Sequence, residues 1–153
     1  RVRAHAPAAA EEAKVDPSYA PKFKPEISLE SLESLDIRTA YIAEAMTVDV
    51  EVEVRRGDQV RMRKKALLKM KVDIGTESRI IVSDIVPIMD AESAVGKKIM
   101  IVANTPKEVV AGHNSHGRVI TGHNYDPTPM AHSFRDILPG AGKLPPGSQY
   151  TSN

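Results

Sequence analysis

The sequence predicts an all-β domain with one small helix: a five-stranded barrel that carries an inserted β-hairpin and an extended N-terminal arm. Three observations lead there. Short apolar runs recur at regular spacing with Gly and Pro between them. Val48, Val50, Val52 and Val54 alternate with Asp49, Glu51 and Glu53, a period of two that demands a half-buried strand. Residues 1–26 have almost none of the large apolar side chains a core requires.

Composition sets the limits. A chain of 153 residues is one domain long once tails are set aside. With 41% hydrophobic and 27% charged residues it has the make-up of a soluble globular domain, and no run approaches the ~18 apolar residues of a spanning helix. Two Phe, four Tyr and no Trp leave Val, Ile, Leu and Met to build the core. The absence of Cys excludes disulfides, thiolate nucleophiles and cysteine-ligated zinc together. Because 21 basic residues face 20 acidic ones, no global field draws the protein onto nucleic acid, and any such binding must come from a local patch.

The arm comes first. Arg1 to Ala10 contains no acid, and Pro7, Pro17, Pro21 and Pro25 punctuate the rest. A start at Arg1 is expected to follow processing or truncation, and the acid-free run resembles the end of an organellar transit peptide. The expected localisation is therefore an organelle, chloroplast ahead of mitochondrion, with an ordinary extension of a cytoplasmic protein as the alternative. A segment of this composition becomes ordered on a partner surface, which makes Arg1, Arg3, Tyr19 and Phe23 candidate docking residues.

Ile27 to Ser34 reads as a short capped helix or turn. Asp36 to Ala43 is a strand, with Ile37, Thr39 and Tyr41 on one face and Arg38, Ala40 and Ile42 on the other. The inserted hairpin spans 48–65, turning at Arg56-Gly57-Asp58 before Val60-Arg61-Met62-Arg63 resumes the alternation. Pairing Val54 with Val60 would place Glu53 opposite Arg61 and Glu51 opposite Arg63, neutralising cations that otherwise form an RNA-like patch with Arg55, Arg56, Lys64 and Lys65. Arg55 and Arg56 are accordingly read as partner-docking residues.

Leu67 to Ile74, Arg79 to Val86 and Lys97 to Ala103 are three more strands, bounded by Gly75, Pro87 and Gly96, with a helical turn at Asp90 to Val95. Leu68, Val72, Ile81, Ile99 and Ile101 should converge on one interior. The smallest architecture that fits is a five-stranded OB-fold barrel. It occupies residues 27–149, and 150–153 form a tail.

Read together, these strands and their linking motifs resemble the tRNA-binding domain family, which includes the C-terminal appendix of some methionyl-tRNA synthetases and free-standing tRNA-binding proteins. The resemblance rests on Ile27-Ser28-Leu29-Glu30 and Leu35-Asp36-Ile37-Arg38, on Leu67 to Gly75, and on Arg79-Ile80-Ile81-Val82-Ser83. It continues through Gly96 to Asn104, Gly112-His113-Asn114-Ser115-His116-Gly117 and Leu144-Pro145-Pro146-Gly147. Two departures stand out: Arg118 where the family usually has methionine, and the lengthened connection Val48 to Lys65.

The resemblance implies an RNA ligand lying across the strand face, with Arg38, Lys69, Lys71, Arg79, Lys97, Lys98 and Arg118 as phosphate contacts. It further implies that Asn104 and Ser115 line the RNA-facing loop, beside their ordinary role of hydrogen-bonding local backbone. Tyr41 and Tyr125 are the only plausible base stackers. His113, His116, His123 and His132 lack acidic or thiolate partners at zinc-site spacing, and Ser83, Ser115 and Ser133 lack a nucleophile arrangement. No metal, cofactor or catalysis is expected. The function expected is that of a structural subunit docked on the protein subunits of an organellar complex. The alternative is a free RNA-binding module serving aminoacylation or translation; either reading is compatible with a homodimer through the first strand and C-terminal segment.

Overall fold

Two long strands organise the molecule: β1 (Ile37–Arg56) and β2 (Gln59–Asp73), antiparallel and joined by the two-residue loop Gly57-Asp58. Gly57 takes the left-handed φ of 59° that this loop needs. The computed structural model describes residues 22–86, 88–124, 134–137 and 143–152.

The expected strand at Asp36 to Ala43 and the inserted hairpin are one continuous element, because β1 runs without a break from the barrel into the hairpin. A register shift between Ile42 and Glu44 marks the bulge where it bends. The hairpin register differs from the expected one by a single residue. The ladder closes at Arg56 opposite Gln59, so Val54 faces Arg61, Val52 faces Arg63, Glu53 faces Met62 and Glu51 faces Lys64. Pairing Val54 with Val60 would have required a five-residue loop; the chain makes one of two. Since side chains alternate with a period of two, this slip changes which face every residue shares.

The main sheet runs β3 (Ser78–Ser83), β2, β1, β4 (Lys98–Val102), β7 (Arg118–Val119), five strands in spatial order. β1 pairs with β4 through Ile37 to Tyr41 and with β2 beyond that point, which wraps the sheet around itself. The wrap is secured where the His116 N–H donates to the Ile80 carbonyl at 2.9 Å. Gly117, at φ 132°, lies so near Ile81 that a β-carbon there would be 3.0 Å from its Cδ1. Leu68, Val72, Ile81, Ile99 and Ile101 meet inside, each at 1% exposure or less, together with Ala40, Ile42, Met70 and Ile85. Burying each large aliphatic side chain contributes about 1.5–3 kcal/mol, so this aliphatic interior dominates the stability.

Short elements seal the ends. α2 (Ala91–Ala94) is capped by Asp90, whose carboxylate accepts the Ser93 N–H at 2.7 Å, and it buries Ala94. β10 (Gln149–Tyr150) pairs with Ile37 and Arg38 of β1, and the Tyr150 hydroxyl lies 2.9 Å from Thr39 Oγ1. Tyr150, assigned by the sequence to the tail, thus completes the sheet. α1 (Leu29–Glu33), capped by Ser28, buries none of its side chains.

Two hairpins were not anticipated. β5 (Glu108–Val110) and β6 (His113–Ser115) pair outside the barrel, where Val110 packs on a second small core of Val48, Leu67 and Val82. β8 (Thr121–Asn124) and β9 (Phe134–Ile137) form the other pair.

Candidate nucleic-acid interface

The outer face of β2 carries a row of aligned cations. Opposite partners in an antiparallel ladder share a face, so Arg56, Val54, Val52, Val50, Val48, Met46 and Glu44 of β1 lie beside Gln59, Arg61, Arg63, Lys65, Leu67, Lys69 and Lys71 of β2. Six cations and the single carboxylate Glu44 therefore stand in this row on one face of the β1–β2 pair, four of the cations on the free hairpin and two, Lys69 and Lys71, at the barrel. The other side carries Asp49, Glu51 and Glu53 with Arg55 and Lys64, the reverse balance. The expected neutralisation of Arg61 and Arg63 by Glu53 and Glu51 does not occur, because those carboxylates project from the opposite surface. Arg61, Arg63 and Lys71 are exposed and hold no ion pair among the described residues, whereas Lys65 binds Asp84 at 2.6 Å.

Lys69 and Lys71 continue the row onto the barrel, beside Val82 and Ile80 of β3. Lys69 Nζ lies 3.2 Å from His113 Nδ1, which ties the β5–β6 hairpin to the edge of this surface. Valines 50, 52 and 54 are half-buried where they face Lys65, Arg63 and Arg61, an arrangement in which the aliphatic stems of the cations cover apolar neighbours while their charges reach water.

The remaining site residues are placed differently. Arg38 pairs with Asp36 at 2.9 Å, and that contact holds the Asp36 carboxyl below its ordinary range although burial opposes it. Arg79 is largely buried, donating to the Ala103 carbonyl and to Glu77 at 3.2 Å. Lys98 donates to the Leu144 carbonyl at 2.8 Å. Asn104 accepts the Asp36 N–H at 2.9 Å and donates to the Ser34 carbonyl at 2.6 Å, bridging α1 to the strand exit. Ser115 is buried, its Oγ accepting the Val82 N–H at 3.0 Å. Arg118 is exposed but holds Glu108 at 2.7 Å, a pairing that the sequence left unread because Glu108 was not placed on a strand. Lys97 is exposed. The structure thus places Lys69 and Lys71 on one face with Arg61 and Arg63, and gives Arg38, Arg79, Lys98, Asn104, Ser115 and Arg118 intramolecular bonds.

Of the expected docking residues, Arg55 lies on the acidic side of the ribbon, 4.0 Å from Glu53, and Arg56 sits at its tip. Phe23 is fully exposed. Arg1, Arg3 and Tyr19 lie outside the described residues, as do Tyr125, His132 and Ser133. Tyr41 is half-buried beside Gly96. Burial, then the nearby Arg79 charge, lowers the His116 pKa. Among the described residues no group of three or more His, Cys, Asp or Glu could hold a metal ion, and no helix is long and apolar enough to cross a membrane.

Residues 51–149 match the family model described as "Putative tRNA binding domain". The methionine–tRNA ligase of Phocaeicola vulgatus is 33% identical over 121 residues, covering 78% of this chain and 16% of the ligase. That of Clostridium acetobutylicum is 32% identical over 98 residues, covering 64% of this chain and 13% of the ligase. The chain therefore spans about one-sixth or less of the length of these relatives. Among solved structures, the chaperone CsaA of Bacillus anthracis superposes with a TM-score of 0.63 at 21% identity, covering 83% of this chain and all of that one. A MetRS-related protein of Pyrococcus horikoshii gives 0.58 at 20% identity, covering 83% and 99%. At these identities the two structures establish the barrel fold.

Proposed function

The chain belongs to the tRNA-binding domain family, and from that premise we propose that it binds tRNA, or RNA of similar structure, on the outer face of β1, β2 and β3. The observation that carries the reading is the one-sided row of cations, with Lys69 and Lys71 at the barrel, where Lys71 stands opposite Glu44 but forms no ion pair among the described residues. A near-neutral protein needs such segregation to attract a polyanion, since its total charge supplies none. Work on this face is binding: phosphate contacts orient an RNA without breaking a bond. Titration of labelled total tRNA with the full chain tests it. Lys69→Gln/Lys71→Gln should weaken binding, and an unchanged affinity would overturn the assignment of this face.

A second surface favours protein contacts. Ile27, Leu29, Leu32 and Leu35 are 65%, 76%, 38% and 44% exposed, and a hollow of about 490 Å³ lies among Leu32, Leu35, Ile37 and Tyr150. We propose that this face docks protein, either a second copy of the chain through β1 and the C-terminal segment or a subunit of a larger organellar assembly. The composition of residues 1–26 is what supports the organellar setting. Sedimentation of the full chain and its Leu29→Asp/Leu32→Asp variant tests the homodimer: loss of a dimer supports it, and a monomeric parent chain rules it out.

A further inference from the structure

β3 covers β2 only as far as Leu68, opposite Ser83. Beyond that point β1 and β2 leave the barrel as a bare two-stranded ribbon, nine residues of β2 from Gln59 to Leu67. At about 3.3 Å per residue it reaches roughly 30 Å. A free ribbon of this length is marginal in water, and this one is rooted by Val48, Val50 and Leu67 in the small outer core.

Its two sides have opposite electrostatic character, and its cations fall into line with those on the barrel. Arg61, Arg63, Lys65, Lys69 and Lys71 occupy alternate positions of one unbulged strand, interrupted only by Leu67. Neighbours in the row are therefore on the order of 6.6 Å apart, comparable to the separation of successive phosphates along a nucleic-acid strand. No Phe, Tyr or Trp stands on the ribbon, so it offers no aromatic ring on which an unpaired base could stack. Arginine forks and lysine points address a backbone whose bases face inward, which is the surface a helical stem presents.

We propose that the ribbon is a second phosphate-gripping arm, in which Arg61 and Arg63 hold the backbone of a double-stranded RNA stem beside the RNA bound at Lys69 and Lys71. The inference rests on the RNA-binding reading of the barrel face and extends it outward by the length of the ribbon. Arg56 and Gln59 close the far end, where a hollow of about 660 Å³ also touches Arg61 and Arg63.

The test measures binding of total tRNA, of a synthetic RNA hairpin stem and of an unstructured oligouridylate by the full chain across a salt series. Arg61→Gln/Arg63→Gln should lower the slope of log affinity against log salt by about 2 on tRNA and on the stem, one per contact removed. The charge-matched Arg55→Gln/Lys64→Gln variant, on the acidic side, should leave that slope unchanged. Circular dichroism establishes that both variants keep the fold. A parental slope in Arg61→Gln/Arg63→Gln, with Lys69→Gln/Lys71→Gln still lowering it, overturns the arm and leaves the barrel reading standing. Equal losses from both sides of the ribbon would also overturn it, showing a response to net charge. A loss confined to oligouridylate would exclude a stem as the ligand. Failure of the unaltered chain to bind tRNA would instead remove the functional reading beneath it.

Discussion

Val54 stands directly opposite Arg61 in the β1–β2 ladder. That single pairing fixes the sidedness of the whole ribbon, because a shift of one residue would carry Arg61 and Arg63 to the surface of Glu51 and Glu53.

The register has a chemical test that the cysteine-free sequence makes clean. Opposite residues of an antiparallel pair lie about 4.5–5.5 Å apart at Cα, within disulfide reach. Val54→Cys/Arg61→Cys should oxidise readily to an intramolecular disulfide, read as a thiol count by mass spectrometry. Val54→Cys/Val60→Cys should not, since those side chains leave opposite faces; preferential closure of that pair would refute the ladder.

Ser115 distinguishes a structural hydroxyl from an RNA contact. It is 4% exposed and accepts the Val82 N–H. Ser115→Ala should cost about 1–3 kcal/mol in chemical denaturation by orphaning that donor. The tRNA affinity of the folded fraction should stay at the parental level, and a selective affinity loss at unchanged stability would reverse the assignment.

Gly147 crosses Ile74 at the end of the barrel. A β-carbon there would sit 2.2 Å from the Ile74 carbonyl oxygen, and its φ of 87° disfavours any other residue. Gly147→Ala should therefore lower stability by more than about 1 kcal/mol in thermal or urea unfolding. Gly57, also at positive φ but with open space around it, should cost less when changed to Ala. Equal effects at the two sites would mean that the contact with Ile74 is loose.

Asp36 gives a pH dependence of stated sign. Its hydrogen bond with Arg38 holds its folded pKa below the ordinary carboxylate value, aided by Gln149 at 3.3 Å. The folded state thus binds its proton less readily than the unfolded one. The stabilisation is present above the unfolded pKa of about 3.9 and is lost as pH falls through the folded value. For a pair this accessible it amounts to about 0.2–1 kcal/mol. Asp36→Asn should flatten the acid limb of the stability curve by that amount and leave neutral-to-alkaline behaviour parallel to the parent.

What the sequence disclosed was whatever repeats locally. The valine alternation at Val48 to Val54 exposed the ribbon, and the apolar runs exposed Leu68, Val72, Ile81, Ile99 and Ile101 as one core. The register escaped because Arg56-Gly57-Asp58-Gln59 is compatible with loops of two or five residues, and polar flanks impose no face of their own. The β5–β6 hairpin escaped for a related reason: three-residue strands hold too few positions for a period to emerge. Most of the candidate site was legible as residue types, but their division into exposed cations without an ion pair and side chains bonded within the molecule was not. Asn104 bonds to Ser34 and Asp36 about seventy positions earlier, a distance no local pattern spans.

Equilibrium binding of total tRNA to the full chain, at about 50 and about 200 mM salt, bears most directly on the cationic face. Four phosphate contacts, at Arg61, Arg63, Lys69 and Lys71, predict measurable binding at the lower salt that weakens by roughly a hundredfold at the higher. No binding at the lower salt, or an affinity indifferent to salt, would contradict it.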